Sequence, residues 1–258
     1  MAVNSLANVH PDAKIGKNVI IESFVTITAD VEIGDNTWIG PNVVIMDGAK
    51  IGQNCKIFPG AVISPPSQDL KYKGEYTTTE IGNNTVIREY VTIHRGTADR
   101  KKTVVGDNCL LMAYVHIAHD CLLGNNIIVA NSSQIAGHVT VEDYAVIEGV
   151  VAVQQFAKIG AHAFIAGASL VRKNVPPFVR AAREPISYTG VNTVGLKRRG
   201  FSDEKIKEIE DIYRVLYVQN QNMSKAIALV EKQFPETEEK RHILNFITAS
   251  EKGIMRGN

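Results

Sequence analysis

The sequence predicts a mainly β fold, a parallel β-helix of hexapeptide repeats followed by a small C-terminal α-helical domain. A six-residue period of branched aliphatic residues carries the first part, and a position of small residues in phase with it supports the period. A change to helical spacing after two consecutive prolines carries the second. The period starts at Val9 and continues through Ile15, Ile21 and every sixth residue to Ile63. It resumes at Ile81, Ile87 and Ile93, and again from Val105 to Val171. All 25 of these anchors are Ile, Val or Leu, in one unshifted register.

Four residues after an anchor the side chain is usually small or β-branched, as at Val25, Thr37, Ala49, Ala61, Ser133 and Ala145. Positions an even number apart share one face of a strand. Each hexad therefore reads as a short strand plus a corner, and three hexads close a triangular coil of 18 residues. With strands about 4.8 Å apart, the anchors predict roughly eight coils, a prism on the order of 40 Å long. Cys55, Cys109 and Cys121 all fall at the small inward position and are expected to be inert core thiols. No pair of them is spaced like a zinc knuckle.

The period breaks twice. Continuing the count through the gaps puts Asp69, Glu75 and Asp99 where the core requires an aliphatic residue. Those segments are expected to leave the coil as loops at 64–80 and 98–103, and long loops on a rigid scaffold tend to carry function. The β-helix is assigned to 1–185, ending beyond Pro176-Pro177, and the helical domain to 186–258. Ser202 is placed to cap a helix whose first turn holds Asp203 and Glu204. Ile206, Ile209, Ile212, Tyr213 and Leu216 follow at helical spacing. Two more helices are expected near 224–234 and 237–250.

Charge and hydropathy set limits on function. The 258 residues are 45% hydrophobic and carry a formal net charge of +1. That balance offers no global attraction for nucleic acid. No stretch approaches the ~20 apolar residues needed to span a bilayer, and no signal peptide is evident. A cytoplasmic protein without stable membrane insertion is the expectation. Between Arg172 and Gly200, seven Arg or Lys residues face one acid, Glu184. This stretch fits a local anion site for a diphosphate or an acidic carrier protein.

Four of the seven histidines, His94, His116, His119 and His138, fall in one window. Folded at 18 residues per coil, His119, Gly137 and Gln155 share one column, and Asp120, His138 and Phe156 the next. An imidazole near pKa 6.5 can take an alcohol proton in a transition state. A carboxylate beside it can fix the tautomer, and a glycine in the facing coil can offer its N–H to an oxyanion. Acyl transfer to a hydroxyl suits this set. A zinc site on His94, His116 and His119 is the rival reading, and solvated turn histidines are the plain one.

These residues sit in segments that resemble the bacterial UDP-N-acetylglucosamine O-acyltransferases. The segments are QDLKYKGE at 68–75, VTIHRGT at 91–97, HIAHDC at 116–121, AGHV at 136–139 and GLKRRGFS at 195–202. They occur in family order over nearly the whole chain. The resemblance implies a left-handed coil and no cofactor. It also implies transfer of an (R)-3-hydroxyacyl group from acyl carrier protein to the 3-hydroxyl of UDP-N-acetylglucosamine, the first step of lipid A biosynthesis. It makes His119 the general base, Asp120 its orienter and the Gly137 N–H the oxyanion donor. Asp69, Lys71, His94, His116, His138 and Gln155 match substrate-contacting positions, and Asn192, Arg198 and Arg199 match positions near nucleotide or phosphates. Gly167 matches the acyl-length ruler, and its missing side chain predicts a long chain, about 14 carbons or more. The family is homotrimeric, with sites between neighbouring prisms.

Two positions depart from the family pattern. Gln154-Gln155 stands where His-Gln is frequent, and Val194 stands where an acid contacts uridine. Other readings are a metal-dependent carbonic-anhydrase-like trimer, the related N-acyltransferase, and a non-catalytic scaffold. The N-acyltransferase normally has a further N-terminal domain, for which hexads beginning at Val9 leave no room.

Overall fold

A computed structural model describes residues 2–219 and 222–257. The chain winds as a left-handed parallel β-helix of about ten coils, closed by helices at its C-terminal end. Its strands form three sheets, the faces of a triangular prism. Face one holds Leu110–Leu111, face two His116–Ile117 and face three Leu122–Leu123, and the cycle then repeats. Every step pairs residue with residue: Ile117 lies beside Ile93 below and Ile135 above. The aliphatic anchors are thereby stacked, and those from Ile21 to Val171 are at most 4% exposed. Burying such a side chain contributes about 1.5–3 kcal/mol, so the column of anchors is the main source of stability.

The coil count exceeds the eight expected from the anchors. Ala2–Val3 pairs below Ile20–Ile21, which extends the same period one step before Val9. At the other end Val179–Ala182 joins face one above Phe164–Ile165. Ser187–Val191 then pairs antiparallel with Val179–Ala182, so this segment extends the sheet and the helical run starts only at Thr193. Its β-branched and aromatic residues suit a strand, and helical periodicity is absent there.

The corners have their own rule. At most corners the third residue after an anchor takes a positive φ, as at Asn18 (55°), Asn36 (58°), Asn84 (55°), Asp120 (59°) and His138 (61°). Asparagine tolerates this conformation better than other side chains, which accounts for its recurrence at these positions. At the vertex between faces three and one, side chains from the coil above cap the exposed backbone. Asn83 N–H donates to Asp107 Oδ1 (2.6 Å), Asp107 N–H to Asn125 Oδ1 and Asn125 N–H to Asp143 Oδ1 (2.8 Å each).

Both loops leave the prism at another vertex, between faces two and three. The first follows Val62–Ile63 and re-enters at Thr78, three residues before the expected end, because Thr79 and Glu80 already pair with Ala49 and Lys50. The second follows Thr92–Ile93 and re-enters at Lys102, which pairs with Thr78. The three cysteines are buried free thiols, as their phase requires.

Among the described residues four helices cap the prism: α1 (Thr193–Arg198), α2 (Asp203–Arg214), α3 (Met223–Gln233) and α4 (Glu238–Thr248). Ser202 caps α2 by accepting the Lys205 N–H, and Thr237 caps α4 by accepting that of Lys240. A π-helical turn, Val215–Gln219, continues α2. Ile206, Ile209 and Ile212 are buried, and the fully buried Tyr213 hydroxyl donates to the Pro177 carbonyl at 2.6 Å. The cap is thus anchored where the hexads stop.

Candidate active site

The vertex between faces two and three carries the histidine patch. His119 and Asp120 turn the corner of one coil, Gly137 and His138 that of the next, and Gln155 and Phe156 that of the third. His119 is 8% exposed and Asp120 is fully buried. His119 Nδ1 lies 2.8 Å from Asp120 Oδ2. An ionised carboxylate only accepts, so Nδ1 carries the proton and Nε2 has the free lone pair. The side of the ring rests on Gly137, where a Cβ would come within 2.6 Å of Cε1 and Nε2. Glycine is required here by close approach, since only a missing side chain admits the imidazole.

Asp120 is held from the second loop. Its Oδ1 accepts the N–H groups of Thr97 (2.9 Å) and Arg100 (3.1 Å), and its Oδ2 accepts the Thr97 hydroxyl (2.6 Å). Burial pushes the carboxyl towards neutrality, but the bonds from Thr97, His119 and Arg100 outweigh it and hold its pKa below the ordinary value. The aspartate is therefore an anion, ready to support an imidazolium. Among the described residues the Gly137 N–H has no acceptor, unlike the capped amides at the vertex between faces three and one.

The first loop brings Asp69 over the patch, with Oδ2 3.9 Å from His119 Nε2. Asp69 also closes its own turn by accepting the Lys71 N–H at 2.9 Å, while Lys71 is exposed. That loop is fixed at its start, where His94 Nδ1 lies 2.7 Å from the Pro66 carbonyl. His94 and His116 meet edge to face, 5.2 Å between centroids, and His116 Nδ1 lies 2.8 Å from Thr92 Oγ1. Burial, with His94 and His119 nearby, pushes His116 down to about 4, so it is neutral near pH 7. His138 stacks on Phe156 at 4.4 Å and stands edge-on to His119 at 5.1 Å. Its Nδ1 lies 3.1 Å from Asp99 Oδ2, at ion-pair distance but without hydrogen-bond alignment. Burial lowers its pKa as well.

His94, His116 and His119 do not converge as a metal set. Among the described residues, the trio spaced to hold an ion is His119, Asp120 and His138. There the Asp120 oxygens already accept four hydrogen bonds, which leaves its lone pairs committed.

The remaining expected residues lie elsewhere on the prism. Asn192, Arg198 and Arg199 line a cleft of about 490 Å³ against Ile128, Val146 and Phe164 on face one, with Val194 on its rim. Asn192 caps α1 and donates to the His162 carbonyl. Arg199 lies over the Tyr144 ring at 5.3 Å, with one buried guanidinium nitrogen unpartnered. Gly167 sits at the vertex between faces one and two, where its N–H donates to Glu148. In a triangular prism the His119 vertex is opposite face one, so a single chain does not unite the two groups. Sequence reasoning missed Thr97 and Arg100. Both breaks in the hexad period fall between a face-two and a face-three anchor, and that shared position is the signal that marks this vertex.

A β-helix with a buried imidazole–carboxylate pair at one corner is the frame of a hexapeptide-repeat transferase. The profile described as bacterial transferase hexapeptide matches residues 30–65 and 102–137. That described as UDP-N-acetylglucosamine O-acyltransferase, domain 2, matches residues 174–255. The acyl-[acyl-carrier-protein]–UDP-N-acetylglucosamine O-acyltransferase of Thermodesulfovibrio yellowstonii is 48% identical over 255 residues, 98% of this chain and 99% of its own. That of Trichlorobacter lovleyi is 48% identical over 261 residues, covering both chains fully. Among solved structures, the UDP-N-acetylglucosamine acyltransferase of Bacteroides fragilis superposes with a TM-score of 0.97 at 48% identity, over 98% of this chain and 100% of that one. That of Francisella novicida gives 0.95 at 42% identity, over 98% and 94%. The chain belongs to the UDP-N-acetylglucosamine O-acyltransferase family.

Proposed function

We propose that this chain transfers an (R)-3-hydroxyacyl group from acyl carrier protein to the 3-hydroxyl of UDP-N-acetylglucosamine, opening lipid A biosynthesis. The observation that carries the mechanism is the His119–Asp120 pair lying against Gly137. His119 Nε2 takes the sugar hydroxyl proton as its oxygen attacks the thioester carbonyl. The Gly137 N–H receives the developing oxyanion. Collapse breaks the C–S bond, and the imidazolium returns the proton to the departing thiolate. Asp120 stabilises that imidazolium without itself accepting the proton.

Asp69, Lys71, His94, His116, His138 and Gln155 would contact substrate around this centre. Neutral His116 and His138 suit hydrogen bonding to a sugar or diphosphate better than charge pairing. Asn192, Arg198 and Arg199 would hold the nucleotide or its phosphates on face one of a neighbouring copy. The opposition of that face to the His119 vertex supports a homotrimer. So does the exposed aromatic edge at the vertex between faces one and two, where Tyr90 and Tyr114 stack at 5.2 Å. Gly167 on that edge would leave room for a chain of about 14 carbons or more. Acyl-donor competition that favours short chains would overturn the length assignment.

Among the described residues no helix is long and apolar enough to cross a membrane, which accords with a cytoplasmic site of action. The test is acyl transfer from 3-hydroxyacyl carrier protein to UDP-N-acetylglucosamine with His119→Ala beside the wild type. Turnover should fall ~10²–10⁴-fold. Undiminished turnover would remove His119 as the base.

A further inference from the structure

We propose that Thr97 is a positioning residue for this reaction, its hydroxyl fixing the Asp120 carboxylate that in turn orients His119. The proposal rests on His119 acting as the base. Asp120 sits at a left-handed position (φ 59°) at an insertion-bearing vertex, yet its side chain is fully buried. Such a group needs a partner for each lone pair.

Thr97 supplies two of those partners. Its N–H donates to Oδ1, and its hydroxyl donates to Oδ2, the same oxygen that meets His119 Nδ1. The hydroxyl has one proton to give. The Asp99 N–H lies 3.4 Å from Thr97 Oγ1, which directs a lone pair towards that amide and the proton towards Asp120. Thr97 is itself pinned, because its carbonyl accepts the Lys101 N–H at 2.9 Å and closes the turn of the second loop. Arg100 completes the clamp: its N–H reaches Oδ1, and its guanidinium reaches the Asp120 carbonyl at 2.8 Å. Thr97 and Arg100 of this loop thus converge on one carboxylate. The loop is a built second layer of the site, of the kind that orients catalytic groups.

The hydroxyl has an electronic consequence as well. A donor on Oδ2 draws charge from the oxygen that would stabilise a His119 imidazolium. Removing it leaves that oxygen more basic, favours the imidazolium, and moves the acid limb of kcat/KM to higher pH. The other charged and titratable groups facing the pair are Asp69 from the first loop, Asp99 and Arg100 from the second, and His94, His116 and His138 from the coils. The substitution replaces none of them, so the direction of the shift follows from the lost donor.

Thr97→Val removes the hydroxyl and keeps the branched shape. The expected result is a roughly 10-fold loss of kcat, the size of one charge-assisted bond, with KM near wild type and the acid limb moved up. Thr97→Ser keeps the hydroxyl and should restore both rate and profile. If the valine variant does not fold, Thr97→Ala is read in the same assays. His119 titration is followed in parallel by NMR in wild-type and variant protein. Rate and limb unchanged in folded Thr97→Val would overturn the proposal, as would a serine variant as slow as the valine one. Full turnover in His119→Ala would instead sink the base assignment, while the NMR titration would still report whether Thr97 tunes the imidazole.

Discussion

Gly137→Ala tests the arrangement with one methyl group. Gly137 lies outside the left-handed region, so its backbone accepts alanine without strain. The new Cβ would stand 2.6 Å from His119 Cε1 and Nε2 and 3.2 Å from Nδ1. Comfortable carbon contacts begin near 3.5 Å, so the ring must retreat by about 1 Å. It cannot turn freely, because Nδ1 is held at 2.8 Å by Asp120 and the His138 ring stands edge-on at 5.1 Å. A displacement of about 1 Å at a reacting atom costs ~10²-fold in rate. The variant should therefore lose about 100-fold in kcat. Its melting temperature should stay close to wild type, because replacing glycine also lowers the entropy of the unfolded chain by ~0.4–1 kcal/mol. Initial rates with a 3-hydroxyacyl carrier protein donor, beside thermal melts followed by circular dichroism, provide both readings. A folded alanine variant with full kcat would refute the placement of the reactive imidazole on Gly137.

Further expectations concern the core, the cap and the metal reading. Burial raises all three thiols, Cys109 to about 11 and Cys121 to about 12, so a thiol reagent at pH 8 should label none of them in native protein and all three after denaturation; rapid labelling of folded protein would contradict the phase assignment. His242 on α4 meets Glu142 at 2.7 Å, and that bond raises its pKa above 6.5. A raised folded pKa gives stability that is present below 6.5 and lost as pH rises through the folded value, so the melting gap between wild type and His242→Ala should be wider at pH 6 than at pH 9. An equal gap at both values would dismiss the ionic contribution. Dialysis against a chelator should leave acyl transfer intact; loss of turnover restored by zinc would favour the carbonic-anhydrase-like reading.

Much of the coil was legible because every anchor meets the same demand. Ile21 and Ile165 lie seven coils apart in the same environment, so one rule reads both, and that rule put the cysteines in the core. Caps at Ser202 and Thr237 were equally local. Other features depend on contacts that no period encodes. The strand Ser187–Val191 exists because Val179–Ala182 offers it an open edge, and the π-helical turn after Arg214 follows packing within the cap. At the site, counting by 18 put His119 beside Gly137, which needs only coil geometry. It did not reach Thr97, Arg100 or Asp69 because loop residues carry no phase. It also left Asn192, Arg198 and Arg199 without a stated distance from His119, since they stand on the opposite face.

The vertex between faces two and three has a consequence for how such a fold can change. Ile63 and Ile81 lie 18 residues apart, and Ile93 and Val105 lie 12 apart, where one step of the coil takes six. The chain leaves the prism, forms a loop beside the histidine vertex and re-enters without moving an anchor. Core and chemistry are therefore separable. The first loop can be lengthened or recomposed while the stacked aliphatic column beneath it remains intact.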